Sequence, residues 1–266
     1  MLAVIIAFIL LAVLLVWYLL RHDHGRQLPA VSLWTAFGFG IVAMVLASVL
    51  EGFAIPDTVW TTPENIPMVS RFLLGIVIGV IEEAAKFLPL AFFIFHKSYF
   101  RFRTDGVIFF AICGLTFGLG ENILYTVTYG AETGLFRLVV TPFFHAAATS
   151  ILGYYLVSAK VNGGMWGKCI MAATVIPFLH GMYDFGLFSQ SYHLYVVSFM
   201  ITLLLSLGLF LYFMQANDLD QQSMPATAPE PNYCTGCGRP NPRHLQYCEQ
   251  CGRHLYITAN TLRRAV

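Results

Sequence analysis

The stretch Ile81-Glu82-Glu83-Ala84-Ala85-Lys86 places two adjacent carboxylates and a lysine inside an apolar run. That run begins near Phe72 and resumes from Phe87 to Phe95, long enough to cross a bilayer, which takes about 20 residues. Each charge at the bilayer centre costs on the order of 2.5 to 3.5 kcal/mol even on lenient insertion scales, so three together must face one another, other polar groups or water. Glu82 and Lys86 are four apart, share a helix face and can pair. Glu83 points about 100° away and needs a different partner. An ion pair that merely locked two helices together would need one glutamate, so a buried functional site is the stronger reading.

The whole chain agrees with a membrane setting. Of its 266 residues 58% are hydrophobic and 11% charged, where a soluble domain has about 25% charged. A net charge of +1 gives no reason to expect nucleic acid. Residues Leu2 to Leu20 lack a basic start and a small-residue cleavage site, so they read as a retained helix rather than a signal peptide. Apolar runs predict seven membrane helices, roughly 2–20, 31–54, 69–95, 106–128, 135–159, 166–188 and 193–215.

Basic residues predict the orientation. Arg21 and Arg26, then Lys97, Arg101 and Arg103, then Lys160 and Lys168, then Arg239, Arg243, Arg253, Arg263 and Arg264 fall on one side. The alternate loops hold Asp57, Glu64 and Glu132, with Arg71 and Arg137 at helix starts. The expectation is an N-terminus outside, a cytoplasmic C-terminus and a cell-membrane location. The fold class is an all-α polytopic membrane protein of about seven transmembrane helices with a small C-terminal zinc ribbon. Its parts are a transmembrane domain (1–215), a polar Pro/Ala-rich linker (216–231), the ribbon (232–256) and a tail (257–266).

The ribbon rests on Cys234-x-x-Cys237 and Cys248-x-x-Cys251, four thiols at a spacing that suits tetrahedral Zn²⁺. A reducing cytoplasm disfavours two disulfides. A segment this small has no core of its own, so the metal would supply its folding energy. Four cysteines leave no open coordination position, so the zinc is structural and a protein partner is the expected use. His244 and His254 read as surface residues, and Cys113 and Cys169 as small apolar packing residues.

Further polar clusters stand in the helices: Glu121 and Asn122, then His145, Thr149 and Ser150, then His180, Tyr183 and Asp184. Glu51, near a helix end, reads as a snorkelling carboxylate. Counted from the outer helix ends, Glu82 lies about 13 residues in, His145 about 10, and Glu121 and His180 about 8, which at about 1.5 Å per residue is one slab about 8 Å thick. Asp184 sits one turn from His180, where it can fix the imidazole tautomer. Tyr183 reads as either an interface anchor or a support for the site, and Thr149 as either a support or a hydroxyl bonded to its own backbone. Glycines 118, 120 and 181 allow backbones to approach beside these residues.

Carboxylates and imidazoles at one depth suit peptide hydrolysis, which needs an activated water, a base that returns its proton to the leaving amine, and oxyanion donors. Histidines can also hold a catalytic metal. A transporter or proton relay would use the same residue types, although no internal repeat of the kind many transporters have is evident.

Glu82-Glu83-x-x-Lys86, Phe117-x-x-x-Glu121-Asn122, His145-x-x-x-Thr149 and His180-x-x-Tyr183-Asp184, in order on successive helices, resemble the four motifs of the PrsW family of bacterial intramembrane proteases. That family shares a superfamily with the CAAX prenyl endopeptidases and bacteriocin-processing enzymes. The resemblance covers about residues 70–190. It implies a multi-pass bacterial enzyme that cleaves a membrane-anchored anti-sigma factor within the lipid bilayer. It implies catalytic roles for Glu82, Glu83, Glu121, His145, His180 and Asp184, with Lys86, Asn122, Thr149 and Tyr183 in support. A non-catalytic scaffold also occurs in the superfamily, but both glutamates and both histidines are retained here. The superfamily is described both as metalloproteases and as metal-independent glutamate proteases. There is no His-Glu-x-x-His motif, and the reading is a water activated by Glu82, with the catalytic metal left open.

Overall fold

A computed structural model describes residues 2–23, 30–56, 66–97, 100–189, 191–223 and, apart from 243, 244 and 246, residues 232–255. Among them are seven helices: α1 (Leu2–Arg21), α2 (Ala30–Ala54), α3 (Met68–Phe95), α4 (Arg103–Tyr129), α5 (Ala131–Asn162), α6 (Trp166–Phe188) and α7 (Tyr192–Ser223). By length and composition α1, α2, α4, α6 and α7 can cross a membrane. Helices α3 and α5 are equally long but carry the charges of the sequence argument, Arg71, Glu82, Glu83 and Lys86 on α3 and Glu132, Arg137 and Lys160 on α5. In lipid every backbone N–H and C=O must be satisfied within the chain, which is why these apolar runs are helical.

Helix α4 is the centre of the bundle. Every residue from Arg103 to Gly118 is buried, with α5, α2, α7 and α1 packed around it. The outer faces are apolar: Val13, Leu14 and Trp17 on α1, Val42 and Phe53 on α2, and Leu204 and Leu211 on α7 are exposed. Apolar faces on this scale require an apolar solvent.

Two close approaches set the spacing of the site helices. Gly130 joins α4 to α5 with φ 94° and ψ 172°, a region essentially reserved for glycine, so the two helices form a tight antiparallel pair. Gly75 and Gly79 of α3 meet Gly181 of α6 backbone to backbone: a Cβ on Gly79 would lie 2.5 Å from Gly181 N.

The predicted linker is corrected at its start. Residues 216–223 continue α7, because Asp220 has work to do there. It accepts hydrogen bonds from the otherwise orphaned N–H groups of Arg103 (3.1 Å) and Thr104 (2.9 Å) at the start of α4, and from Arg103 Nη1 (3.1 Å). A cap supplied by a distant helix leaves no local sequence signal. Met1, Arg26, Asp57, Glu64, residues 224–231, Arg243, His244 and residues 256–266 lie outside the described residues.

In the C-terminal unit β1 (Asn232–Tyr233) pairs antiparallel with β2 (Pro240–Asn241). Two like turns follow one pattern: Gly238 N donates to Cys234 O (2.8 Å) and Gly252 N to Cys248 O (2.9 Å). Both glycines have positive φ, 73° and 69°. Backbone N–H groups also point at sulfur, Gly236 N at Cys234 (3.3 Å) and Gln250 N at Cys248 (3.4 Å). The four thiols are free of disulfides and form one cluster that can hold a metal ion. His254 is exposed, while Cys113 and Cys169 lie in the apolar core.

Candidate active site

Helices α3, α4, α5 and α6 each bring one motif to a common point. Lys86 is its hub. An ammonium has three N–H donors, and here they go to Glu82 Oε2 (3.2 Å), Glu83 Oε1 (2.9 Å) and His145 Nδ1 (2.9 Å). The charge also sits over the Phe117 ring, 3.8 Å from its centroid. Glu83, expected to face away from Lys86, instead shares it from i, i+3, and it also has His180 Nδ1 at 2.8 Å and Thr149 Oγ1 at 3.5 Å. His145 Nε2 lies 2.9 Å from Glu121 Oε2. Glu82, Glu83, Lys86, His145, His180, Thr149 and Asn122 are all buried.

The hydrogen bonds assign the imidazole tautomers. His145 Nδ1 accepts from Lys86, so its proton is on Nε2 and goes to Glu121. His180 donates from Nδ1 to Glu83, which leaves the Nε2 lone pair free. The two unprotonated nitrogens therefore face Glu82: His145 Nδ1 is 3.9 Å and His180 Nε2 3.5 Å from Glu82 Oε2. These three ligand atoms lie within 4.8 Å of one another. Two imidazoles and a carboxylate form a known catalytic zinc donor set. Each imidazole is backed by a glutamate on its other nitrogen, as metal-ligating histidines usually are. The site and its cleft hold five carboxyls, Glu51, Glu82, Glu83, Glu121 and Asp184, against two fixed cations, Lys86 and Arg137. By donor type and charge the residues fit a divalent metal, which would displace the Lys86 ammonium from Glu82 Oε2 and His145 Nδ1. Lys86 is the cation bound to His145 Nδ1 in this structure.

Asp184 does not fix the His180 tautomer as expected. Its Oδ2 is 3.6 Å from His180 Nε2, too long for a hydrogen bond, and Glu83 performs that role from α3. Tyr183 is 2% exposed and is no interface anchor. It stacks on Phe144 at 4.1 Å and its hydroxyl meets Thr141 Oγ1 at 3.2 Å, while Phe144 packs against both histidines.

A cleft of about 420 Å³ reaches this network from the ends of α2, α4 and α6, lined among others by Glu51, Glu82, Glu121, Tyr125, Arg137 and Asp184. Glu51 is thus not a snorkelling residue: α2 packs on α3 and α4 and turns this carboxyl inward, with Oε1 buried and without a hydrogen-bond partner among the described residues. A second, apolar cleft of about 350 Å³ reaches Glu83 between α3, α5 and α6, past Val80, Leu88, Leu152 and Thr174. Arg137 is the participant that sequence reasoning missed. The signal was present: residues 137, 141, 145 and 149 repeat at helical spacing and form one polar face of α5.

Residues 28–209 match the family described as PrsW family intramembrane metalloprotease. A protein named Protease PrsW from Halalkalibacterium halodurans is 31% identical over 193 residues, which is 71% of this chain and 86% of that protein. Protease PrsW of Bacillus subtilis is 29% identical over 210 residues, 76% of this chain and 91% of its own length. Protease PrsW of Oceanobacillus iheyensis is 36% identical over 128 residues, 47% of this chain and 60% of its own. No solved structure matches the chain.

Proposed function

The chain belongs to the PrsW family of intramembrane metalloproteases, and from that membership we propose that it hydrolyses a membrane-anchored protein at the Glu82, His145 and His180 centre, using a water deprotonated by Glu82. The observation that carries this reading is the convergence of Glu82 Oε2 with His145 Nδ1 and His180 Nε2 inside 4.8 Å, with Glu82 itself lining the cleft.

Lys86 and the imidazoles surround Glu82 Oε2. Oε1 has no hydrogen-bond partner among the described residues and can take the proton of a water in the cleft. The water oxygen adds to the peptide carbonyl, the proton passes to Glu82, and Glu82 returns it to the leaving amine as the C–N bond breaks. The buried Lys86 ammonium sets a positive potential beside the developing oxyanion. A divalent metal on Glu82 Oε2, His145 Nδ1 and His180 Nε2 would supply Lewis-acid polarisation of the carbonyl and a more acidic water. Catalytic roles for Glu83, Glu121 and Asp184 follow as holders of the imidazoles and the cleft wall.

The substrate is a membrane-anchored regulator, an anti-sigma factor by the family resemblance. The N-terminus is outside and the C-terminus cytoplasmic. In support, the basic residues concentrate on the loops after α1, α3 and α5 and beyond α7. The cysteine cluster holds structural zinc and serves as a protein-docking unit. The test of the site is Glu82→Gln in purified full-length protein with a membrane-protein substrate. Cleavage should fall by at least about 100-fold at unchanged protein level, and near-normal cleavage would refute the role of Glu82.

A further inference from the structure

We propose that Arg137 is a positioning residue of this site, which acts through Glu121 to hold His145 in the tautomer that presents Nδ1 to Glu82 and Lys86. The proposal rests on the protease reading above. Arg137 is only 7% exposed, and three contacts orient its guanidinium. Nη2 donates to Glu121 Oε1 at 2.6 Å, Nε donates to Asn122 Oδ1 at 2.9 Å, and Cζ lies 4.0 Å from the Tyr125 ring centroid. The planar fork thus spans two adjacent residues of α4 while stacked on a third one turn later. A lysine, with a single point of charge, cannot reproduce that.

Glu121 has one oxygen on Arg137 and the other, Oε2, 2.9 Å from His145 Nε2. With Oε1 clamped, the carboxylate can turn neither away from the imidazole nor end-on to it. It offers His145 an acceptor only, so the proton stays on Nε2. Nδ1 is left as the lone-pair nitrogen that meets Lys86 at 2.9 Å and faces Glu82 Oε2 at 3.9 Å. Lys86 holds the same tautomer from the Nδ1 side; without Arg137, Glu121 is free to rotate, Lys86 alone holds it, and the Nδ1–H form of His145 becomes easier to reach. The glycine at 118 leaves room for the imidazole on the other side.

The test compares the full-length protein with R137Q, R137K, E121Q and the double variant E121Q/R137Q. The readouts are kcat, KM, thermal unfolding and the ¹⁵N shifts of the His145 imidazole. R137Q should lower kcat about 10- to 100-fold, the usual loss for a removed orienting partner, with KM within about 2-fold, and its ¹⁵N shifts should show mixed tautomers. R137K should recover little of the rate. The double variant should be no slower than E121Q, because the path from Arg137 to His145 runs through Glu121. It also leaves no unpaired charge, so it remains informative if R137Q fails to fold. Wild-type kcat or unchanged ¹⁵N shifts in R137Q, or a double variant slowed by the product of the single effects, would overturn the proposal. An inactive E82Q beside a normal R137Q sinks this proposal alone, whereas an active E82Q sinks the protease reading itself.

Discussion

At the scale of the residue, Lys86 decides whether the site can exist. Its ammonium is 1% exposed as a residue and spends all three donors on Glu82, Glu83 and His145. Removal of one member of a buried ionic network leaves the partners unpaired, a loss of about 3–5 kcal/mol. Lys86→Met should therefore lower the unfolding temperature of the purified protein sharply. Adding Glu83→Gln should restore part of it, since one of the stranded carboxylates is then neutral. A single variant as stable as the wild type would show that the network contributes little to folding. The lysine was legible in the sequence because four-residue spacing on an apolar helix leaves few partners for it. Arg137 was legible only as the first member of the 137, 141, 145 and 149 face, and its place near a helix start reads as a flank until α4 is laid against α5.

At the scale of the element, the α4–α5 pair works by contact closer than side chains allow. A Cβ on Gly118 would lie 2.7 Å from His145 Cδ2. The ring cannot slide aside without releasing Glu121 or Lys86, which hold both its nitrogens. Gly118→Ala should cut cleavage by at least about 10-fold, since displacements near 1 Å can cost about 100-fold. Gly38→Ala on α2, where a Cβ meets nothing within 4 Å, should leave activity unchanged and serves as the control. Equal rates for the two variants would show that His145 tolerates the shift. The helices themselves were readable from length and apolar run. The extension of α7 through Ser223 was not, because Asp220 is polar by composition and buried only by its bonds to α4.

At the scale of the whole molecule, a membrane bundle with a Glu/His centre is joined to a cysteine unit that no motif of the centre requires. Changing Cys234 and Cys237 together to Ser should abolish zinc bound at 232–255, read by metal analysis, while proteolysis in detergent persists. Lost proteolysis in a bundle that remains folded would show that the two parts are coupled. Reporters fused beyond Ser223 and between α2 and α3 should signal opposite sides of the membrane, the first cytoplasmic, and same-side signals would refute the proposed orientation.

Sequence alone determined that this chain lives in a bilayer, because apolar runs of membrane length have only one stable environment. It also pointed to a meeting of Glu82, His145 and His180, because they fall at one depth and polar groups in lipid need partners. Which atom meets which was decided by tertiary structure. Lys86 takes His145 Nδ1, Glu83 rather than Asp184 takes His180, and Arg137 and Glu51 turn inward. Partner choice depends on distances between helices, and those are set by glycine contacts and packing angles that no local pattern encodes.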